Sequence, residues 1–245
     1  MKNTIKYLLL TGCFMLPTIA SAGLVTNTFD SPDLSAWQTD RCAPDNVAVT
    51  GGELVLTIDA QSSCLTQTGF YHTQGIKLDI GEANFLSVDM YVDSAWTDQA
   101  RFAGIWGVLY DSSDTISNYP ILEFQLPDLT SAANGGFDVW DSVHGGWLDL
   151  LATVFNLDGW NTLSMSLMDG FVTYTVNGNV LARVADTDSA YIGEVILNAK
   201  NEEAGYTVRY DNLTYNTIPV SEPAMYMVLP LILAGLAARR KLTLQ

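Results

Sequence analysis

The residues best suited to chemistry crowd into one stretch, GGFDVWDSVHGGWLD, where Asp138, Trp140, Asp141, His144, Trp147 and Asp149 stand between glycines. Sugar rings lay their apolar C–H faces on aromatic planes, while their hydroxyls take carboxylates and amides. The composition therefore fits a sugar-contacting loop. Tyr91, Glu123 and Gln125 fall on the polar sides of predicted strands and are expected to line a neighbouring surface. The competing reading for Trp140 and Trp147 is packing at a sheet edge, and composition does not separate the two. Trp37 and Trp160 lie in strand-like contexts and read as core.

Catalytic constellations are scarce. His72 and His144 are the only histidines, and neither has the H-E-x-x-H or paired-ligand spacing that zinc needs. No G-x-S-x-G elbow is present. Glu123 and Glu194 are the candidate acid–base carboxylates. They sit on the polar sides of two strands and could face each other across a groove; two solvated strand residues are the plainer reading.

The elements that must position these residues are strands. FLSVDMYV puts Leu86, Val88, Met90 and Val92 on one face and Ser87, Asp89, Tyr91 and Asp93 on the other. YPILEFQL sends Leu122, Phe124 and Leu126 inward and Glu123 and Gln125 outward, and NTLSMSLM alternates in the same way. VAVTGGELVLTI predicts a hairpin at Gly51-Gly52, and FVTYTVNGNVLARV another at Asn177-Gly178, the dipeptide a type I′ turn favours. Many short strands, each with one polar and one apolar side, predict an all-β, two-sheet antiparallel sandwich over residues 23–219.

Five segments follow one another in order: FDSPDLSAW, GGELVLTI, DGWNTLSMSL, VTYTVNGNVLARV and VRYDNLTY. Their succession resembles the concanavalin A-like lectin and glucanase jelly rolls, including laminin G-like domains. The resemblance implies a jelly roll and a polysaccharide partner. Retaining glucanases of that fold use two carboxylates about 5 Å apart, but the closely spaced Glu-x-Asp-x-x-Glu pattern of one large glucanase family is absent here. No cofactor is required. The resemblance implies a structural calcium where the first and last strands meet, at Asp30 in TFDSP and Asp211 in YDN. The competing reading makes Asp30 a turn cap and pairs Asp211 with Arg209 or a backbone amide.

The two ends state where the chain goes. Residues 1–22 carry Lys2 and Lys6, an apolar stretch and Ala20-Ser21-Ala22, the marks of a cleaved secretory signal peptide. Residues 220–245 carry Ser221-Glu222-Pro223, an apolar run from Ala224 to Ala238 and a basic stop of Arg239, Arg240 and Lys241. The run falls short of the ~20 residues of a spanning helix, and the basic cluster would stay cytoplasmic. This tail resembles the PEP-CTERM sorting signal of Gram-negative bacteria, with Ser221 in place of the first proline. The resemblance implies an exosortase-type membrane enzyme as a partner, a transient hold in the inner membrane, and release to the cell surface or extracellular matrix.

Of three cysteines, Cys13 leaves with the signal peptide; Cys42 and Cys64 flank the first hairpin and are expected to form a disulfide in an oxidising compartment. The chain has 27 acidic and 11 basic residues, a net charge of −16, and Lys2, Lys6, Arg239, Arg240 and Lys241 all belong to the ends. So acidic a body argues against nucleic acid as a partner. The expectation is an exported surface or matrix protein that binds polysaccharide without cleaving it; the alternatives are a glycoside hydrolase or polysaccharide lyase, and a scaffold without a ligand.

Overall fold

The computed structural model describes residues 23–58, 73–98, 101–126, 136–148, 150, 155–200 and 205–218. Ala22–Ile218 forms a compact unit. The signal-peptide and sorting-tail segments lie outside the described residues, as do Cys64, His72 and Asp149.

Two antiparallel sheets make up this body. The first orders its strands β14 (Asn179–Ala185), β13 (Phe171–Val176), β12 (Gly159–Met168), β6 (Phe85–Val92), β16 (Tyr206–Thr217), β4 (Glu53–Ile58) and β3 (Asn46–Thr50), with β1 (Gly23–Asn27) also on β16. The second orders β11 (Gly146–Trp147), β10 (Gly136–Asp141), β9 (Ile121–Leu126), β7 (Arg101–Tyr110), β15 (Tyr191–Lys200), β5 (Thr73–Ala83) and β2 (Gln38–Arg41), with β8 (Ile116–Asn118) on β7.

Period-2 patterning decides which side of each strand is buried. β4 alternates half-buried and buried residues along its whole length, and so does β13. Leu86, Val88, Met90 and Val92 are fully buried between the sheets, as are Leu122 and Phe124. At the predicted hairpins, Thr50 pairs with Glu53 and Val176 with Asn179. Asn177 and Gly178 both have positive φ, at 51° and 76°, as a type I′ turn requires. Cys42 is disulfide-bonded. It forms a bridge with Gln74, and its carbonyl accepts from Gly75 N at 3.1 Å, which ties the end of β2 to β5.

The outward side of the second sheet is unlike ordinary solvated sheet surface. Trp106, Val108, Ile121 and Ile196 form an apolar cluster there, separate from the main core, with Tyr110, Tyr119 and Trp140 packed against it. Polar side chains on the same side are buried with them, and these define the site.

Candidate functional site on the outward face of the second sheet

Strand register lines up two rows of side chains across this face. Asp138 pairs with Glu123, Glu123 with Gly104, Gly104 with Asn198, Asn198 with Gly75, and Gly75 with Asp40. Two residues along each strand, about 7 Å away, runs a second row: Trp147, Trp140, Ile121, Trp106, Ile196 and Lys77. A carboxylate-and-amide row thus lies beside an aromatic and aliphatic one. That is the division of labour a sugar chain asks of a protein.

Glu123 stands second in the polar row, beside Asp138. It is 5% exposed, and Gln125 Nε2 donates to its Oε1 at 2.7 Å. Burial pushes its carboxyl up to about 7, with Asp138 adding in the same direction. Gln125, Lys200 and the Trp106 indole oppose the shift without cancelling it. A carboxyl that holds its proton near neutrality can donate it, and a second carboxylate stands directly opposite on the next strand. Asp40 at the far end of the row is also raised by burial, against the opposing charge of Arg41. Both Asn198 amide atoms and Gln125 Oε1 are buried with no hydrogen-bond partner among the described residues. Each such group costs about 1–3 kcal/mol when left bare, so each calls for a partner such as a water, an ion or a ligand.

The row has a floor and a support beneath it. A Cβ on Gly104 would lie 2.3 Å from Leu122 O and 2.5 Å from Glu123 Cα; one on Gly75 would lie 2.5 Å from Asn198 Cβ. Bare backbone at these two positions leaves room for Glu123 and Asn198. From the core side, the Tyr210 hydroxyl of β16 lies 2.8 Å from both Gly104 O and Asn198 O, and its one proton is shared between these two acceptors. Tyr206 does the same for Phe102 O and Lys200 O at 2.8 and 2.7 Å. The first sheet therefore holds the backbone of the second directly under the polar row.

The tryptophan-rich stretch folds as a hairpin rather than an irregular loop. Trp140 and Trp147 are cross-strand partners with ring centroids 5.8 Å apart in an edge-to-face contact, and both rings are half-buried. Asp141 anchors the turn. Its Oδ1 accepts from Val143 N at 2.9 Å and His144 N at 3.2 Å, its Oδ2 accepts from the Tyr174 hydroxyl, and Asn118 Nδ2 bonds it as well. Asn118 also donates to Asp186 at 2.9 Å.

Several sequence expectations are corrected by these positions. Asp141 is fully buried and turned away from Asp138, because residues three apart on a strand take opposite faces; it anchors the hairpin and does not face a ligand. His144 is exposed at the turn. Tyr91 belongs to the first sheet, where it meets Trp160 edge-to-face at 5.6 Å and lies under the Arg209 guanidinium at 3.7 Å. It therefore lines no surface with Trp140, and Trp160 is half-buried on that outer surface, not core. Trp37 is half-buried and packs against the main core. Glu123 and Gln125 do share one face, as expected, but buried rather than solvated. Glu194 shares that face yet stands four residues along β15 from Asn198 and is bound to Lys77 at 3.1 Å, so it does not oppose Glu123. Trp106, Asn198 and Asp40 were not anticipated as site residues.

Asp30 and Asp211, the expected calcium ligands, each have a local hydrogen-bond donor. Burial raises the Asp211 carboxyl, with the charges of Asp89, Glu53 and Asp30 adding to it against the Asn212 amide. Asp30 is exposed and accepts from Thr28 Oγ1 at 2.6 Å, while Asp211 accepts from Asn212 N at 2.6 Å. Among the described residues no three His, Cys, Asp or Glu side chains gather as a metal site.

No family model and no curated protein matches the sequence. Solved structures do resemble it. SCLam, a non-specific endo-β-1,3(4)-glucanase from family GH16, is 15% identical with a TM-score of 0.56, over 81% of this chain and 92% of that one. LamA from Z. galactanivorans, solved with laminaritriose and laminaritetraose, is 11% identical with a TM-score of 0.54, over 81% and 100%. The Bacillus licheniformis β-glucanase is 11% identical with a TM-score of 0.51, over 80% and 99%. This likeness defines the fold: the body is a two-sheet antiparallel jelly roll of the concanavalin A-like kind. At such identities it defines nothing further.

Proposed function

We propose that this chain is an exported polysaccharide-processing protein, a glycoside hydrolase whose reactive pair is Glu123 and Asp138. One observation carries the reading: two buried carboxyl groups face each other across neighbouring strands, and one of them is held protonated near neutral pH. Cross-strand neighbours have Cβ atoms about 4.5–5.5 Å apart. That closeness is compatible with the paired carboxyl groups of a retaining enzyme. Glu123 would donate its proton to the glycosidic oxygen as the bond to the anomeric carbon breaks. Asp138 would attack that carbon as the nucleophile, and water, deprotonated by Glu123, would then release the sugar. Trp140 and Trp147 would hold neighbouring rings by stacking. Arg41 lies 4.3 Å over the Trp106 ring, on the face that a glycan would approach.

The reading is supported by the fold it shares with named glucanases. Incubation of the purified protein with β-1,3(4)-glucans, amino-sugar polymers and other polysaccharides tests it through the appearance of new reducing ends. Glu123→Gln and Asp138→Asn are each expected to abolish release. A second reading, glycan binding without cleavage, is favoured by Gln125, which stands two residues after Glu123 where the Glu-x-Asp-x-x-Glu pattern has its aspartate. Binding that survives in a protein releasing no reducing ends would establish it.

The ends are read from sequence. Export by the signal peptide is expected to leave Gly23 as the mature N-terminus, and the tail is proposed as a PEP-CTERM-type sorting signal. Mass spectrometry of the released protein checks both termini; a product retaining Arg239, Arg240 and Lys241 would contradict the sorting proposal.

A further inference from the structure

A pocket of about 180 Å³ opens on the outward face of the second sheet, lined by Asp79, Gly81, Glu82, Tyr110, Tyr191, Gly193 and Glu194. It shares that face with the Glu123 row: Glu194 lies four residues along β15 from Asn198, about 13 Å at ~3.3 Å per residue, and Tyr110 packs against the outward apolar cluster. Its wall is a stacked aromatic pair. Tyr110 and Tyr191 have ring centroids 5.4 Å apart and planes 10° from parallel. Gly193 is what admits them, since a Cβ there would lie 2.5 Å from Tyr110 Cε2 and 3.2 Å from Tyr191 Cε2. The Tyr191 hydroxyl is fixed by donating to Asp114 at 2.8 Å, whereas the Tyr110 hydroxyl makes no hydrogen bond among the described residues.

The pocket's charge is unbalanced. Three carboxylates line it, and the ammonium of Lys77 sits on Glu194 at 3.1 and 3.3 Å. That contact balances the Glu194 charge from the neighbouring strand. Asp79 and Glu82 carry no cation among the described residues, and Asp79 only accepts from Gly81 N at 2.8 Å. Aromatic faces beside carboxylates favour a ligand with an apolar ring face and a positive charge.

We infer that this pocket binds one amino-sugar unit of a polysaccharide, with the ring on the Tyr110–Tyr191 pair and the ammonium between Asp79 and Glu82. The inference deepens the proposed function and rests on it only for the sugar nature of the ligand; the selection of a cation follows from the pocket itself. It specifies the substrate as a polymer of at least partly de-acetylated hexosamine, since acetylation removes the charge.

Isothermal titration of the purified full chain with a glucosamine tetramer and with its fully N-acetylated counterpart tests the inference. The expected result is at least a tenfold preference for the charged tetramer at low salt, shrinking as salt screens the pair. The double substitution Asp79→Asn, Glu82→Gln alters exposed side chains, so the fold is expected to persist by circular dichroism while the preference disappears. Gly193→Ala should weaken both tetramers by crowding the rings. Equal affinity for the two tetramers, binding of neither, or a preference that survives the double substitution would overturn the inference. Reducing-end release, measured on the same samples and on Glu123→Gln, tells the two failures apart. Preference without cleavage removes the hydrolase reading and leaves the pocket, and cleavage without preference does the reverse.

Discussion

Replacing Glu123 by Gln should make the protein more stable as it makes it inactive, and only above a defined pH. The folded carboxyl titrates near 7, against an ordinary glutamic acid value of 4.5. Between these values the folded state holds a proton that the unfolded chain has given up. Stability from this group is therefore full below about 4.5 and falls as pH rises towards 7, by about 1.4 kcal/mol per pH unit. The whole loss is about 3 kcal/mol, and it is constant above pH 7. Gln keeps the shape and the contact with Gln125 but has no proton to lose. Urea unfolding of the wild type and Glu123→Gln should coincide near pH 4.5 and diverge by about 3 kcal/mol at pH 8, roughly 6–12 °C in Tm for a body this size. Parallel stability curves across that range would refute the reasoning, because they would mean that Glu123 is as well solvated when folded as when unfolded.

Asp141→Ala should destabilise by about 1–3 kcal/mol for each buried partner it strands, chiefly Asn118 and Tyr174, whereas His144→Ala at the exposed end of the same turn should cost less than about 0.5 kcal/mol in urea unfolding. Gly104→Ala should destabilise by about 1–3 kcal/mol or more and remove glycan binding in affinity electrophoresis, as its Cβ enters the space of Leu122 O and Glu123. Trp140→Ala should weaken glycan retardation in the same gels by about 1–3 kcal/mol of stacking and burial, while Tyr91→Ala, on the other sheet, should leave retardation unchanged.

The strand faces were legible in the sequence because alternation is a local property. Leu86 to Val92 and Leu122 to Phe124 bury the sides their pattern predicts, and both hairpins turn where glycine and asparagine allow positive φ. Pairing was not legible, because it joins residues far apart: β15 lies between β7 and β5, and β6 between β12 and β16. Alternation put Tyr91 and Glu123 on polar sides without saying that these belong to different sheets. Composition grouped Asp138 with Asp141, whereas strand period alone separates them. The same period, run from Glu194 through Ile196 to Asn198, would have placed Asn198 on the site's face. Trp106 gave no such signal, because RFAGIWGVLY carries almost no polar residues to mark its outward side.

The central claim is that Glu123 and Asp138 form a working acid–carboxylate pair, and the most direct test is reducing-end release at pH 6 by the purified wild type beside Glu123→Gln. The account predicts new reducing ends from at least one polysaccharide with the wild type and none above background with the variant, although the variant is the more stable protein at neutral pH. Equal release by both proteins would contradict it.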